Sequence, residues 1–304
     1  MVALSRLSPR VRRAFLYLQG YDGHKITKAA THPTLDCVCL DMEDGVSILK
    51  KDQARAGIVH ALQTVDFQRT EPVVRINALS TGELAMRDVD AILSCPVLPK
   101  AICIPKVESA ADVQFVSDRL DALGDMAHDV RIMSMIESPM ALLNMKEICT
   151  TASPHRMDCV ILGADDYASA VGATRTSQGH EMDFARNFCL LQAAAYGVDA
   201  IDMVQIEYRN DNLTQLQIES RSSFELGYTG KQVIHPNQID PVQQAYSPTR
   251  HAIEEAALVL EANKEHQEHG EGAFSFQDKM IDAPTVKQYE KLLQRAEMMG
   301  LYLP

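Results

Sequence analysis

Eight short apolar runs, most of them rich in β-branched residues, punctuate most of the chain: Ala14 to Leu18, Cys37 to Leu40, Val73 to Ile76, Ala101 to Ile104, Arg131 to Ile136, Cys159 to Leu162, Ile201 to Ile206 and Gln232 to Ile234. Most are continuous instead of alternating, which is the pattern of parallel strands covered on both faces. Segments with helical period lie between them, for example Asp112 to Leu123 and Asp183 to Tyr196. Eight strand-helix units close a barrel better than they build an open sheet, so the expected fold is α/β, a (β/α)8 TIM barrel over residues 13–245. No GxGxxG or GxxxxGK[ST] follows any run, which argues against a nucleotide-binding doubly wound sheet.

The pattern changes after Pro236. Ser247-Pro248 reads as a helix start, Thr249 to His266 has helical spacing, a Gly-rich aromatic stretch runs from His269 to Pro284, and a last helix reaches Met299. A barrel closed at strand eight does not require these residues, so 246–304 is expected to be an appended helical lid or interface module. Residues 1–12 are basic and free of acids, as a leader or a clipped targeting segment is.

Composition narrows the partners. Against 29 basic residues stand 41 acidic ones, a net charge of -12, so the summed field repels phosphate backbones and nucleic acid is not an expected partner. The cysteines at 37, 39, 95, 103, 149, 159 and 189 have no metal-type spacing and sit among apolar neighbours, which predicts buried thiols in a reducing compartment. No apolar run approaches the roughly 18 residues of a membrane span. The expectation is a soluble intracellular protein without a membrane role, in the mitochondrial matrix or a bacterial cytoplasm.

In a barrel, chemistry sits at the C-terminal ends of the strands. Here those ends carry Tyr17, then Asp41, Glu43 and Asp44, then Arg75 and Asn77, then Lys106 and Glu108, Glu137, the pair Asp165 and Asp166, and finally His235. Converging carboxylates do not stay ionised near a barrel axis without positive charge. Oxygen donors without Cys or His pairing favour Mg2+, which keeps open positions for a 2-oxo acid and polarises its carbonyl. Asp165 and Asp166 are adjacent, so in extended chain they face opposite ways and only one is expected to ligate.

The stretches RRAFLYLQG, LDMEDGV, VVRIN, LPKAICIPKVES, MIESPMALLN, ILGADDYASAVGA, GYTGKQVIHPNQ and FSFQDKMIDAP resemble, in order and spacing, the citrate lyase beta-subunit-like family of HpcH/HpaI aldolase-type barrels, over about residues 13 to 290. The resemblance implies a Mg2+-dependent, reversible Claisen-type cleavage of citramalyl-CoA to acetyl-CoA and pyruvate, with malate or methylmalate synthase chemistry as a side activity. Malyl-CoA lyase, a citrate lyase beta subunit acting on citryl-acyl-carrier protein and a non-catalytic CoA- or oxo-acid-binding barrel are the alternatives. It implies Glu137 and Asp166 as metal ligands, Arg75 at the oxo-acid and thioester oxygen, and Tyr17, Lys28, Ile234 and His235 at the CoA thioester. His24 stands where relatives carry a CoA-binding Lys, and Gln19 and Tyr21 also depart from the family pattern. Asp282 matches the catalytic acid, supplied by a neighbouring subunit of a homotrimer or dimer of trimers.

Each assignment has a structural counterpart. Glu137 and Asp166 fit strand-end carboxylates capping the next helix, since Ser138-Pro139 starts one. Arg75 fits an ion-pair partner, and Glu43 and Asp44 fit supporting groups beside the site. Lys106 fits a neutraliser of Glu137 or Glu43, His235 before Pro236 a strand cap, and Asp282 before Ala-Pro a helix N-cap.

Overall fold

The computed structural model describes residues 10–152, 156–205, 213–268 and 272–302. Eight strands form a closed barrel in sequence order: β1 (Ala14–Gln19), β2 (Cys37–Asp41), β3 (Glu71–Arg75), β4 (Ala101–Ile104), β5 (Arg131–Ile136), β6 (Met157–Leu162), β7 (Asp199–Asp202) and β8 (Gly230–Val233). Every neighbouring pair is parallel, including the closure of β8 on β1. The α/β (β/α)8 barrel expected from the eight runs is therefore the fold. β7 begins at Asp199, two residues before its apolar run, and ends at Asp202; Ile206 lies outside the described residues. β8 begins earlier than expected because Lys231 is buried, held near Asp202 and Glu219, where a polar residue gives no apolar signal.

The period of two divides each strand between barrel interior and helix layer. Phe15, Cys37, Cys39, Val73, Ala101, Cys103, Met133, Met135, Cys159, Ile161 and Ile201 form one buried cluster, with Tyr17 packed against it. Continuing that alternation to the strand ends brings Asp41 and Arg75 onto the same interior track. All seven cysteines are buried and free of disulfides. Among the described residues no helix is long and apolar enough to cross a membrane.

The chain divides into two compact units, one ending at Gln244 and one beginning at Ala245. The second contains a helix (Arg250–Glu268), strands β9 (Ala273–Phe276) and β10 (Lys279–Asp282), and a helix (Ala283–Met298). Val259, Phe274, Ile281 and Val286 form its core. The stretch expected to be a lid segment is thus an antiparallel hairpin, with Gln277 and Asp278 at φ 47° and 62° forming its turn. Gly-rich composition concealed a short alternation in which Phe274 and Ile281 face inward.

The floor of the barrel corrects the other boundary. Arg10 and Arg12, expected within a leader, are bound into it: Arg12 donates to Glu71 at 2.6 and 2.8 Å and to Asp158 at 3.0 and 3.1 Å, and Arg10 donates to Glu71 at 2.6 Å. Arg12 is 3% exposed, too buried for a passive tail. Burial raises the pKa of Glu71, but Arg12 and Arg10 more than offset it and hold the carboxyl below its ordinary value. A depressed folded pKa means that the stabilisation is present above the unfolded value and is lost as pH falls through the folded one. Glu71→Gln is expected to lower stability by about 1–3 kcal/mol at pH 7, because it removes the charge of one of the two carboxylates that Arg12 binds and leaves Asp158 as the other. In denaturant titrations the gap to the native chain should narrow as pH falls through and below the ordinary carboxylate range, where Glu71 itself takes up its proton.

Candidate active site

The strand register builds the first layer. Asp41 of β2 pairs with Arg75 of β3, and their side chains meet in a bidentate fork, Nε to Oδ1 at 2.7 Å and Nη2 to Oδ2 at 2.8 Å. The third guanidinium nitrogen lies 3.0 Å from Glu43 Oε2. Beneath them the half-buried Tyr17 ring sits 4.8 Å from the Arg75 guanidinium carbon, a cation–π contact. The Tyr17 hydroxyl donates to Gln232 Oε1 at 3.0 Å, and Gln232 Nε2 donates to the Leu162 and Asp202 carbonyls at 2.8 and 3.1 Å. Gln232 was not among the expected site residues, although a glutamine inside an apolar strand is a visible signal.

The loop after β2 is shaped by the same aspartate. Asp41 accepts the N–H groups of Glu43 at 2.8 Å and Gly45 at 3.0 Å. Lys51 donates to the carbonyls of Met42 and Glu43 at 2.7 and 2.8 Å and to Asn77 Oδ1 at 2.6 Å. Nothing in the sequence marks Lys51, which opens an amphipathic helix and reads as a solvated residue there. Burial pushes the Glu43 carboxyl above its ordinary value, against the opposing pull of Arg75 and Lys106.

The outer layer is an acid-lined cavity of about 590 Å³, bounded by Leu79, Ser80, Lys106, Glu108, Ser109, Asp112, Glu137 and Asp166. Glu137 follows β5 and is 6% exposed. Its Oε2 accepts the Lys106 N–H at 2.6 Å, and Oε1 accepts no hydrogen bond among the described residues. Burial pushes this carboxyl up to about 7, with the charges of Glu43 and Asp166 adding to the rise and the Lys106 N–H opposing it. Ser138, not Glu137, caps the helix Pro139–Leu143, accepting the Ala141 N–H at 3.0 Å. Asp165 and Asp166 lie in the first turn of the helix Ala164–Val171, not on extended chain. Asp165 pairs with Arg175 at 2.9 Å while Asp166 faces the cavity, so helical rotation separates the pair, not strand alternation.

Lys106 pairs with Glu43 and with Asp44, both at 2.9 Å, and lies 3.7 Å from Asp166. The remaining expected residues do not line this cavity. His24 and Lys28 are exposed on the helix Gly23–Ala30, one turn apart on its outer face. Ile234 is about half exposed, and His235 caps the turn Pro236–Gln238, its Nδ1 accepting the Asn237 N–H at 3.2 Å. Arg75 is 8% exposed and engaged by Asp41 and Glu43. Asp282, in the second unit, is exposed and N-caps the last helix: Oδ1 accepts the Thr285 N–H at 3.0 Å and hydroxyl at 2.7 Å. Those two bonds hold its carboxyl below the ordinary value.

Gly163 fixes the position of Glu137. A Cβ at this residue would overlap Glu137 Cγ and Oε1. Gly163→Ala is expected to displace that carboxylate and to cost about 1–3 kcal/mol through overpacking. Thermal unfolding checks the loss of stability, and a crystal structure of the variant checks the displacement.

Residues 13–236 match the HpcH/HpaI aldolase/citrate lyase family. The mitochondrial citramalyl-CoA lyase of Rattus norvegicus is 39% identical over 296 residues, covering 94% of this chain and 86% of that protein. The citrate lyase subunit beta of Escherichia coli K12 is 30% identical, covering 98% of each. A crystal structure of the protein CitE from Mycobacterium tuberculosis in complex with magnesium, acetoacetate and coenzyme A superposes with a TM-score of 0.75 at 29% identity, covering 94% of this chain and 98% of that one. The chain belongs to the HpcH/HpaI aldolase/citrate lyase family and is a carbon–carbon lyase.

Proposed function

We propose that the chain is a Mg2+-dependent lyase that cleaves citramalyl-CoA reversibly to acetyl-CoA and pyruvate. The observation that carries this reading is the convergence of Glu137 and Asp166 on one cavity whose charged lining is four carboxylates and a single ammonium. The donor set fits Mg2+: its oxygens are hard, no His or Cys lines the cavity, and Glu137 Oε1 is uncommitted among the described residues. No cluster of three His, Cys, Asp or Glu suited to a metal occurs among the described residues. Two protein carboxylates, with substrate and water supplying the rest, is the pattern Mg2+ accepts. Similarity to the rat citramalyl-CoA lyase and to the magnesium- and coenzyme A-bound CitE protein supports the same assignment.

The lining also supports pyruvate as the oxo acid. Asp112 is occupied by its capping bonds from Glu108 N and Ser109 N, both at 3.0 Å, and the Lys106 ammonium is engaged by Glu43 and Asp44. No cation in the cavity is left for a second substrate carboxylate, and Glu108 repels one. A methyl substituent, as in pyruvate, meets neither penalty, which favours citramalyl over citryl thioesters.

Glu137 and Asp166 would hold the metal, which when bound supplies the Lewis acidity that favours loss of the tertiary hydroxyl proton. That proton leaves to solvent, the hydroxyl oxygen becomes the keto oxygen of pyruvate, and the bond between the tertiary carbon and the methylene breaks. Its electron pair forms the acetyl-CoA enolate, whose oxygen is assigned to Arg75, a guanidinium with N–H groups beyond the three that Asp41 and Glu43 engage. Asp282, assigned to a second copy of the chain, takes a proton from the acetyl-CoA methyl group in the synthetic direction, which its lowered carboxyl pKa suits, and in cleavage returns a proton to that carbon and takes its replacement from solvent. Tyr17 supports Arg75 from below, and His24, Lys28, Ile234 and His235 are assigned to the CoA arm.

Purified protein mixed with citramalyl-CoA and Mg2+ should release acetyl-CoA and pyruvate, and chelator should stop it. Turnover of citryl-acyl-carrier protein alone overturns the assignment. Glu137→Gln and Asp166→Asn should each lower turnover about a hundredfold or more and remove Mg2+ uptake in calorimetry. Asp282→Asn should lower kcat by about 10²–10⁴-fold with Mg2+ uptake unchanged.

A further inference from the structure

Lys106 touches both carboxylates assigned to the metal, by different means. Its backbone N–H donates to Glu137 at 2.6 Å, and its ammonium lies 3.7 Å from Asp166 while paired with Glu43 and Asp44 at 2.9 Å each. The backbone contact is made at φ 50°, a left-handed conformation that a residue with a β-carbon adopts reluctantly. Glycine would serve that backbone without strain, yet the position carries a lysine, whose side chain supplies the only ammonium in the cavity lining. The side chain is 35% exposed and Asp44 is 60% exposed, so the ammonium has a partner at the solvent edge toward which it can move.

We infer that Lys106 is a built-in counter-ion that keeps metal affinity low. Its ammonium offsets part of the negative charge of the acid-lined cavity, and it repels a dication that shares Asp166. Like charges a few ångströms apart in a partly buried site interact strongly and are poorly screened by salt. Lys106 is therefore a positioning residue for Glu137 through its backbone and an antagonist of the metal through its side chain. This rests on the reading of Glu137 and Asp166 as the ligands, and it predicts a sign opposite to that of a purely structural residue: losing the lysine tightens metal binding.

The test is calorimetric titration of Mg2+ alone into the full-length native chain and into Lys106→Met, Lys106→Gly and Lys106→Arg. Methionine keeps the stem and removes the charge, and its dissociation constant should fall about tenfold or more. Glycine keeps the N–H to Glu137, relieves the strain and should tighten binding likewise; it is read by the same criterion if the methionine variant does not fold. Arginine restores the charge and should bind within about twofold of the native chain. Unchanged or weaker binding in the uncharged variants overturns the inference. Mg2+ uptake by Glu137→Gln equal to that of the native chain instead overturns the metal-site reading, and this inference with it.

Discussion

The bidentate bond between Arg75 and Asp41 organises the mouth of the barrel. Both groups are buried, so neither charge is tolerable alone, and the parallel register of β2 and β3 places them opposite each other. Asp41 spends its remaining hydrogen-bonding capacity on the backbone of the loop that follows, which brings Glu43 over the guanidinium. From Glu43 the chain of contacts passes to Lys106, and from Lys106 to Glu137 and Asp166. Contacts that start from two strand ends thus link groups from five different strand-helix units.

The mouth consequently has two electrostatic layers. In the inner one each charge is matched: Arg75 by Asp41 and Glu43, and the Tyr17 hydroxyl by Gln232. In the outer one negative charge exceeds positive charge, because a single ammonium faces four carboxylates. A saturated layer is rigid and holds groups in place; an unsaturated one attracts a cation and whatever anion that cation can chelate. The lyase chemistry proposed for this site needs both, since the reacting atoms must be held still while charge moves from one oxygen to another.

The second unit supplies a different element. Asp282 uses one oxygen to cap a helix and is held there by two bonds from Thr285. A carboxylate fixed in this way keeps its other oxygen in a defined direction, which is what the proton-transfer role proposed for Asp282 requires. The hairpin that carries Asp282 has its own apolar core, so its position does not depend on a flexible loop.

The order of elements and the closed barrel were legible in the apolar runs, because burial on both faces forces a strand to be apolar along its length. The acidic strand ends were legible too, since charged residues directly after such runs stand out by type. Charge pairing was not legible. Asp41, Glu43 and Asp44 look alike in sequence, yet one binds Arg75 in a fork, one bridges Arg75 and Lys106, and one reaches solvent. Lys51 became a site residue through the loop after β2 and Asn77, Gln232 through partners tens to hundreds of residues away, and Arg12 left the presumed leader through equally distant partners. Local sequence therefore determined the barrel, its strand ends and the acidity of its mouth, because periodicity and residue type act within a few positions along the chain. Which carboxylate is neutralised and which still faces the cavity was decided by tertiary structure, because Coulomb interactions and desolvation depend on distances that only the closed barrel sets.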